Sequence, residues 1–131
     1  MGIGFSGGGG GAPTASPTFT GTVTLPQVSY GVYNIGNSST AATANWNNGM
    51  IQKVTMTGNC TFTLSNPVTG TTYVLKCIQD ATGSRTYTWP ATVIWPGGSA
   101  PTGSGASKVD VITLFWDGTN YFGGYNLNYT P

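Results

Sequence analysis

Apolar and polar residues alternate along most of this chain in short runs that are broken by glycine, proline and asparagine. Residues 60–64 show the pattern most clearly, because Cys60, Phe62 and Leu64 fall on one side of an extended strand and two threonines fall on the other. No segment of useful length repeats its apolar residues at helical spacing. The pattern predicts an all-β chain, built as an antiparallel β-sandwich of the jelly-roll-like kind.

Three turn sequences predict hairpins between neighbouring strands. They are Gly58-Asn59, the segment 65–70 and Asp117-Gly118. A hairpin on segment 65–70 would place Cys60 opposite Cys77 as a cross-strand pair, close enough for a disulfide. Two buried thiols are the favoured alternative, since disulfides are rare in proteins assembled in a cytoplasm.

Other segments differ in how well they fit a sheet. Residues 19–25 and 28–33 are rich in β-branched and aromatic residues and predict two short edge strands separated by Pro26. A short helix at 41–44 is compatible with the polar stretch around it but lacks an apolar stripe. Residues 108–117 are apolar on both faces and predict a central strand.

The first 18 residues are of low complexity and predict an extended glycine-rich arm instead of a folded element. A phosphate-binding loop is excluded because no Lys-Ser or Lys-Thr pair follows the glycines. The chain therefore divides into an arm, residues 1–18, and a β-sandwich domain, residues 19–131. The arm residues expected to carry assembly are Gly7, Gly8, Gly9, Gly10, Gly11, Pro13 and Pro17.

Charge is scarce: 5% of the residues are charged and the formal net charge is +1. We therefore expect no nucleic acid partner, since the chain has no basic stripe for phosphates. We expect no membrane partner, because no apolar run approaches the roughly 20 residues of a span and no basic patch is present. Weak charge also leaves little repulsion between copies, which favours self-association. The N-terminus lacks the basic and apolar parts of a secretory signal, so assembly in a cytoplasm is expected.

The inventory of reactive side chains is equally small. The chain has no histidine, and its acidic residues are Asp80, Asp110 and Asp117. We expect no enzyme, no metal and no cofactor. Asp80 and Arg85 flank a turn and are interpreted as an ion pair in preference to a ligand contact. Asp110 lies on an apolar strand, so it needs a partner such as Lys108 or Arg85, or a place at an interface.

Residues 64–122 resemble a C-terminal domain of bacteriophage tail-fibre and related appendage proteins. The resemblance depends on an ordered set of short motifs, among them Gln79-Asp-Ala-Thr-Gly-Ser-Arg-Thr, Trp95-Pro-Gly-Gly and Phe115-Trp-Asp-Gly. Residues 12–23 also resemble linker repeats of tail-fibre proteins. The resemblance implies a virion structural protein, usually a homotrimer, with a β-rich tip that can bind a host surface.

The leading hypothesis is a small trimeric capsid decoration or head-fibre subunit, assembled in the host cytoplasm and located in the virion. Its arm would bind the major capsid protein or another virion protein, since only about 18 residues precede the predicted strands. The alternative is a tail-fibre or tail-tip protein that recognises a host-surface glycan. The candidate glycan-facing or interface aromatics are Trp46, Trp95, Tyr121 and Tyr125. Packing within a core or between subunits is the favoured role for these rings. A solenoid-like adhesin is set aside because the chain lacks a regular repeat.

Overall fold

Nine strands in two sheets form the fold of residues 18–131, which are the residues that our computed structural model describes. The arm residues Gly7 to Gly11, Pro13 and Pro17 lie outside the described residues. The strands are β1 (Tyr33–Asn37), β2 (Ala41–Asn45), β3 (Ile51–Met56), β4 (Cys60–Ser65), β5 (Thr71–Gln79), β6 (Tyr87–Thr88), β7 (Val93–Ile94), β8 (Val109–Trp116) and β9 (Tyr121–Tyr129). Short 3₁₀ turns occupy Trp46–Asn48 and Pro96–Gly98.

The first six strands alternate between the two sheets. The large sheet has the order β1-β3-β5-β8-β9-β7, and the small sheet has the order β2-β4-β6. Strands β1, β3 and β5 run parallel to one another, and so do β2, β4 and β6. The chain therefore coils, laying one strand in each sheet per turn, before β5, β8 and β9 add an antiparallel part.

This topology confirms the predicted all-β class with two packed sheets. The predicted antiparallel, jelly-roll-like pairing holds only among β5, β8 and β9, since the other strand pairs are parallel. The hairpin at Asp117-Gly118 is confirmed, because β8 and β9 pair antiparallel around it. The hairpins at Gly58-Asn59 and 65–70 are wrong, since each turn leads the chain from one sheet to the other. Alternation shows which face of a strand is buried but does not select the strand that pairs with it.

The number of residues per coil increases along the chain, so the sequence shows no repeat of fixed length. Tyr33 of β1 pairs with Gln52 of β3, whereas Cys60 of β4 pairs with Tyr87 of β6 after a longer interval. The chain therefore forms a solenoid-like coil, although its sequence lacks the fixed repeat by which such coils are usually recognised. Segment 41–44 belongs to strand β2 and is not a helix. The central position predicted for 108–117 is confirmed, since β8 lies between β5 and β9.

The core lies between the two sheets. It takes Val54, Leu75 and Ile112 from the large sheet and Phe62 from the small sheet, all of them buried. Stacked rings extend it, with Trp46 against Tyr73 at 4.2 Å and Phe62 against Trp89 at 4.8 Å between ring centroids. Apolar side chains on the facing sides of two sheets supply most of the favourable free energy of such a fold.

Both cysteines are buried in this core as free thiols. They do not form the cross-strand pair that was predicted, because Cys60 pairs with Tyr87 and Cys77 pairs with Val54 and Asp110. Burial, assisted by the nearby charge of Asp110, raises the pKa of the Cys77 thiol far above its usual range. The thiol therefore stays protonated and behaves as a small apolar side chain.

Glycines allow the loop of residues 99–108 to press against the turn of residues 80–86. A Cβ atom on Gly103 would lie 1.9 Å from the carbonyl oxygen of Arg85 and 2.7 Å from Nε2 of Gln79. Around the corresponding position on Gly105, no heavy atom of the described residues lies within 4 Å, apart from those of Gly105 and its two chain neighbours. The contact at Gly103 is between two backbones, so neither side can yield as a flexible side chain would.

We expect Gly103→Ala to lower the free energy of unfolding by about 2 kcal/mol or more, because the added methyl group overlaps the Arg85 carbonyl. The matched control, Gly105→Ala, adds the same group in open space and should change the stability by no more than about 0.5 kcal/mol. Urea unfolding of both variants measures the difference. Equal stabilities would contradict the tight packing of these two loops.

Candidate functional site

The most unusual surface is the segment of residues 18–32, which we call the leading segment. Every residue in it is exposed, and none of it is part of a strand, so the two edge strands predicted at 19–25 and 28–33 are wrong. Its large apolar side chains are between 43% and 57% exposed. They are Phe19, Val23, Leu25, Val28, Tyr30 and Val32.

Residues 20–32 of the leading segment have the alternation of a strand but belong to neither sheet of the described structure. Val23 and Leu25 alternate with threonines, and Val28, Tyr30 and Val32 alternate with small residues. Within the described part of the chain, no backbone hydrogen bond joins residues 20–32 to either sheet. A run with this alternation needs both a pairing edge and an apolar surface, and the described residues supply neither to residues 20–32.

A second apolar surface lies on the large sheet. Its outer face, the one turned away from the small sheet, carries Ile94, Phe122 and Phe115 in one row, which we call the outer row. Phe122 pairs directly with both of the others, across strands β7, β9 and β8. The three side chains are 41–48% exposed. Neighbouring strands are about 4.8 Å apart, so the three side chains form one continuous strip.

The buried carboxylate of Asp110 holds several strands and a loop together on the inner side of the large sheet. It accepts hydrogen bonds from the Tyr87 hydroxyl at 2.5 Å, from the backbone N–H of Ser104 at 3.0 Å, from the Ser104 hydroxyl, and from the backbone N–H of Asn128 at 3.0 Å. Gln79 extends the network by donating to the Tyr87 hydroxyl at 2.9 Å. The carboxylate thus ties together strands β6, β8 and β9 and the loop at Ser104.

Asp110 has neither of the cationic partners that the sequence suggested. Arg85 is held by Asp80, with 2.8 Å between Nη2 and Oδ2, and this confirms the predicted ion pair across the turn. Lys108 donates to the hydroxyl of Thr130 at 2.6 Å. Hydroxyl and backbone N–H donors satisfy the buried charge instead, and a residue-by-residue search for opposite charges could not have found them.

Burial and hydrogen bonding act in opposite directions on Asp110. Burial raises the pKa of its carboxyl group, but the donors from Ser104, Tyr87 and Asn128 outweigh burial and hold the pKa below its usual range. Burial also raises the pKa of the Tyr87 hydroxyl, as do the neighbouring Cys77 and Asp110, so that hydroxyl remains a donor. The network is therefore one anion surrounded by protonated donors.

The four aromatic residues proposed for glycan contact lie mostly inside the molecule. Trp46, Trp95 and Tyr121 are buried, and the indole N–H of Trp46 donates to the Tyr121 hydroxyl at 3.0 Å. Tyr125 is half-buried, and its hydroxyl donates to the carbonyl of Ser99 at 3.2 Å. Three of these rings thus present no face to solvent, and Tyr125 presents part of one.

Sequence reasoning missed the outer row. The apolar residues on both faces of 108–117 predict a central strand, but they do not show whether the outer face is covered. On that outer face Phe115 is exposed beside Phe122. Apolar residues on both faces of a strand indicate either a covered sheet or a surface that awaits a partner.

Among residues 18–131, no group of three or more histidine, cysteine, aspartate or glutamate residues could hold a metal ion. No helix in the same residues is long and apolar enough to cross a membrane.

Most of the chain matches a known protein family. Residues 23–121 match the sequence profile of a family described as "Putative phage tail fibre C-terminal domain". The match includes most of the leading segment as well as strands β1 to β8 and the first residue of β9. No curated protein and no solved structure matches the chain.

Protonation of Asp110 should destabilise the fold. A carboxyl group whose pKa is lowered by folding stabilises the native state above its unfolded pKa of about 3.9, and this contribution is lost as the pH falls through the folded pKa. We expect Asp110→Asn to lower the free energy of unfolding at pH 7 by about 2 kcal/mol, because charged acceptor bonds are lost. Its stability should also fall less steeply than that of the wild type below about pH 4.

Chemical denaturation at pH values from 7 to 2 measures both effects. Asp117→Asn removes the same charge from the exposed β8–β9 turn, where the backbone N–H groups of Thr119 and Asn120 also lower the pKa of the carboxyl group. It serves as the comparison for an exposed aspartate, and its effect on stability should be the smaller of the two. An Asp110→Asn variant with the wild-type dependence on pH would show that folding does not lower the pKa of the buried carboxyl group.

Proposed function

Because the chain belongs to the phage tail fibre C-terminal domain family, and so is a structural component of a phage virion, we propose that it acts as a self-assembling, non-enzymatic subunit of a tail fibre. Three copies would form the assembly, as is usual for the proteins that residues 64–122 resemble. The leading segment of each copy would be buried against another copy.

The exposed apolar alternation of the leading segment carries this proposal. Burying the exposed part of each large side chain in it would contribute roughly 1 kcal/mol at about 25 cal/mol per Å². The whole segment would then contribute several kcal/mol per copy. Association costs an estimated 4–15 kcal/mol, so the segment could offset a large part of that cost, with the outer row contributing the rest.

A second copy of the chain is the favoured partner for two reasons. Each copy carries both the leading segment and the outer row, so a closed ring of copies would bury both kinds of apolar surface at once. The segment also runs directly into β1, the edge strand of the large sheet, which places it beside an open sheet edge. The formal net charge of +1 leaves little repulsion between copies.

The absence of catalysis is part of the proposal, and the hydrogen bonds and the ion pair of the three aspartates support it. Asp80 is paired with Arg85, Asp110 is enclosed by its donors, and Asp117 accepts the N–H groups of its own turn. The sequence contains no histidine that could act beside them. No carboxylate is left to serve as a general acid or base in an open cleft.

A capsid decoration or head-fibre subunit, bound through the arm to the major capsid protein, is the other structural role. The family match favours the tail over this role. Labelling the chain on intact virions and imaging them by electron microscopy distinguishes the two. Label on the tail supports our proposal, and label across the head contradicts it.

The assembly can be tested with two charge-matched variants of the leading segment. In solution the wild type should have three times the 13.5 kDa mass of the chain. Val23→Asp with Leu25→Asp places two charges on the apolar side, where burial would leave them without partners, and should give monomers. Thr22→Asp with Thr24→Asp places the same charges on the opposite side and should still assemble.

Light scattering after size-exclusion chromatography measures these masses. A wild-type protein that stays a stable monomer at micromolar concentration would refute the assembly. Dissociation of both double variants to the same extent would refute the one-sided burial of the segment and indicate charge repulsion alone.

A further inference from the structure

An open groove of about 340 Å³ lies on the outer face of the large sheet, at the end away from the outer row. Its lining residues are Lys76, Val109, Val111, Tyr129, Thr130 and Pro131. The two valines form an apolar floor from strand β8, and the ring of Tyr129 is 50% exposed. Sites for small ligands commonly combine an apolar surface with a few polar groups in this way.

Tyr129 reaches this groove because of a bulge in strand β9. Val111 pairs with Asn126, but Val109 pairs with Tyr129, so β9 contains one extra residue between them. Asn128 in this bulge has a left-handed backbone, with φ of 67°, and its N–H donates to Asp110 at 3.0 Å. Side chains alternate between faces, so the extra residue moves Tyr129 from the inner face to the outer face.

Lys53 lies beside the groove, next to Lys76 of its lining, and among the described residues no aspartate pairs with either lysine. Lys76 pairs directly with Lys53 of strand β3, and both point to the outer face. Like charges directly opposite each other destabilise a sheet. The three aspartates are occupied elsewhere, so the chain places two of its four cationic side chains side by side and leaves both for an outside anion.

We propose that this groove binds an acidic saccharide, meaning a sugar ring that carries a carboxylate or a phosphate group. Lys76 and Lys53 would contact the anion, and the exposed ring of Tyr129 would stack on the face of the sugar over the floor of Val109 and Val111. This site uses none of the four aromatic residues that the sequence suggested for glycan contact.

The groove does not depend on the assembly proposed above. Phe115 of the outer row is four residues from Val111 along β8, which is about 13 Å at 3.3 Å per residue. A neighbouring copy could therefore cover the outer row and leave the groove open. A nucleic acid is a poorer fit, because its binding needs a long basic stripe and the net charge of this chain is only +1.

The test is the binding of the full chain to three polymers, measured by affinity electrophoresis and isothermal titration calorimetry. Polygalacturonate presents carboxylates, a phosphorylated mannan presents phosphates, and dextran presents uncharged sugar rings. We expect one of the acidic polymers to bind with an affinity that falls as salt is added, and dextran not to bind. No binding to either acidic polymer would overturn the proposal, and so would equal binding to single-stranded DNA.

Substitutions locate the site. Lys76→Gln and Tyr129→Ala should each weaken binding about tenfold, as expected for the loss of a charged hydrogen bond or of a stacked ring. Tyr129→Phe keeps the ring and should bind like the wild type. Arg85→Gln removes the same charge outside the groove and should also bind like the wild type. If Lys76→Gln and Arg85→Gln lose the same affinity, binding depends only on net charge and the proposed site is overturned.

The mass of every sample in light scattering separates this inference from the proposed assembly. A trimer that binds no acidic polymer overturns the groove and leaves the assembly intact. A monomer that binds an acidic polymer, and whose Lys76→Gln variant no longer binds that polymer, overturns the assembly and supports the groove.

Discussion

The buried carboxylate of Asp110 is the interaction on which much of this structure depends. It collects donors from Tyr87, Ser104 and Asn128, which belong to three separate parts of the chain. A buried charge is costly unless its hydrogen bonds are complete, and here four donors complete them. The consequence reaches the surface, because the bond to Asn128 holds the bulge that turns Tyr129 outward. One interior anion thus fixes both the last coil of the core and the shape of the outer face.

The fold joins two ways of building a sheet. In the first half the chain coils between two sheets, so parallel strands stack without helices between them. In the second half β8 and β9 return by a tight hairpin and extend the large sheet beyond the small one. On the inner face of that extension Trp46 packs against Tyr121 and Trp95 packs against Tyr125, both of strand β9. Gly123 leaves the space that the Trp95 ring fills, since a Cβ atom there would lie 2.4 Å from the ring. This is why three aromatic residues near loops are part of the core.

The sequence was most informative where local geometry decides the outcome. Alternation at Cys60, Phe62 and Leu64 identified a half-buried strand, and Asp117-Gly118 identified a hairpin, because both depend only on neighbours in the chain. The partner of each strand could not be predicted in the same way. Gly58-Asn59 permits a hairpin, but the chain continues to the opposite sheet, where Gly58 packs against the carbonyl of Ser39. The outer row, the groove and the donors of Asp110 depend on pairing across distant strands, so they became visible only when the register was known.

A low content of charge has different effects inside and outside this protein. Inside, Asp110 is stabilised by neutral donors, so its charge needs no cation. Outside, the leading segment and the outer row remain apolar and exposed, which would be a hazard for a monomer and is useful for a subunit that meets copies of itself. The lysines differ from the rest of this surface, because Lys53 and Lys76 repel each other and no aspartate in the sequence is free to relieve them. A surface built only to bury itself against another copy would gain nothing from that pair. The separation of these lysines from the apolar row therefore argues for two roles on one sheet face, association at one end and recognition of an anion at the other.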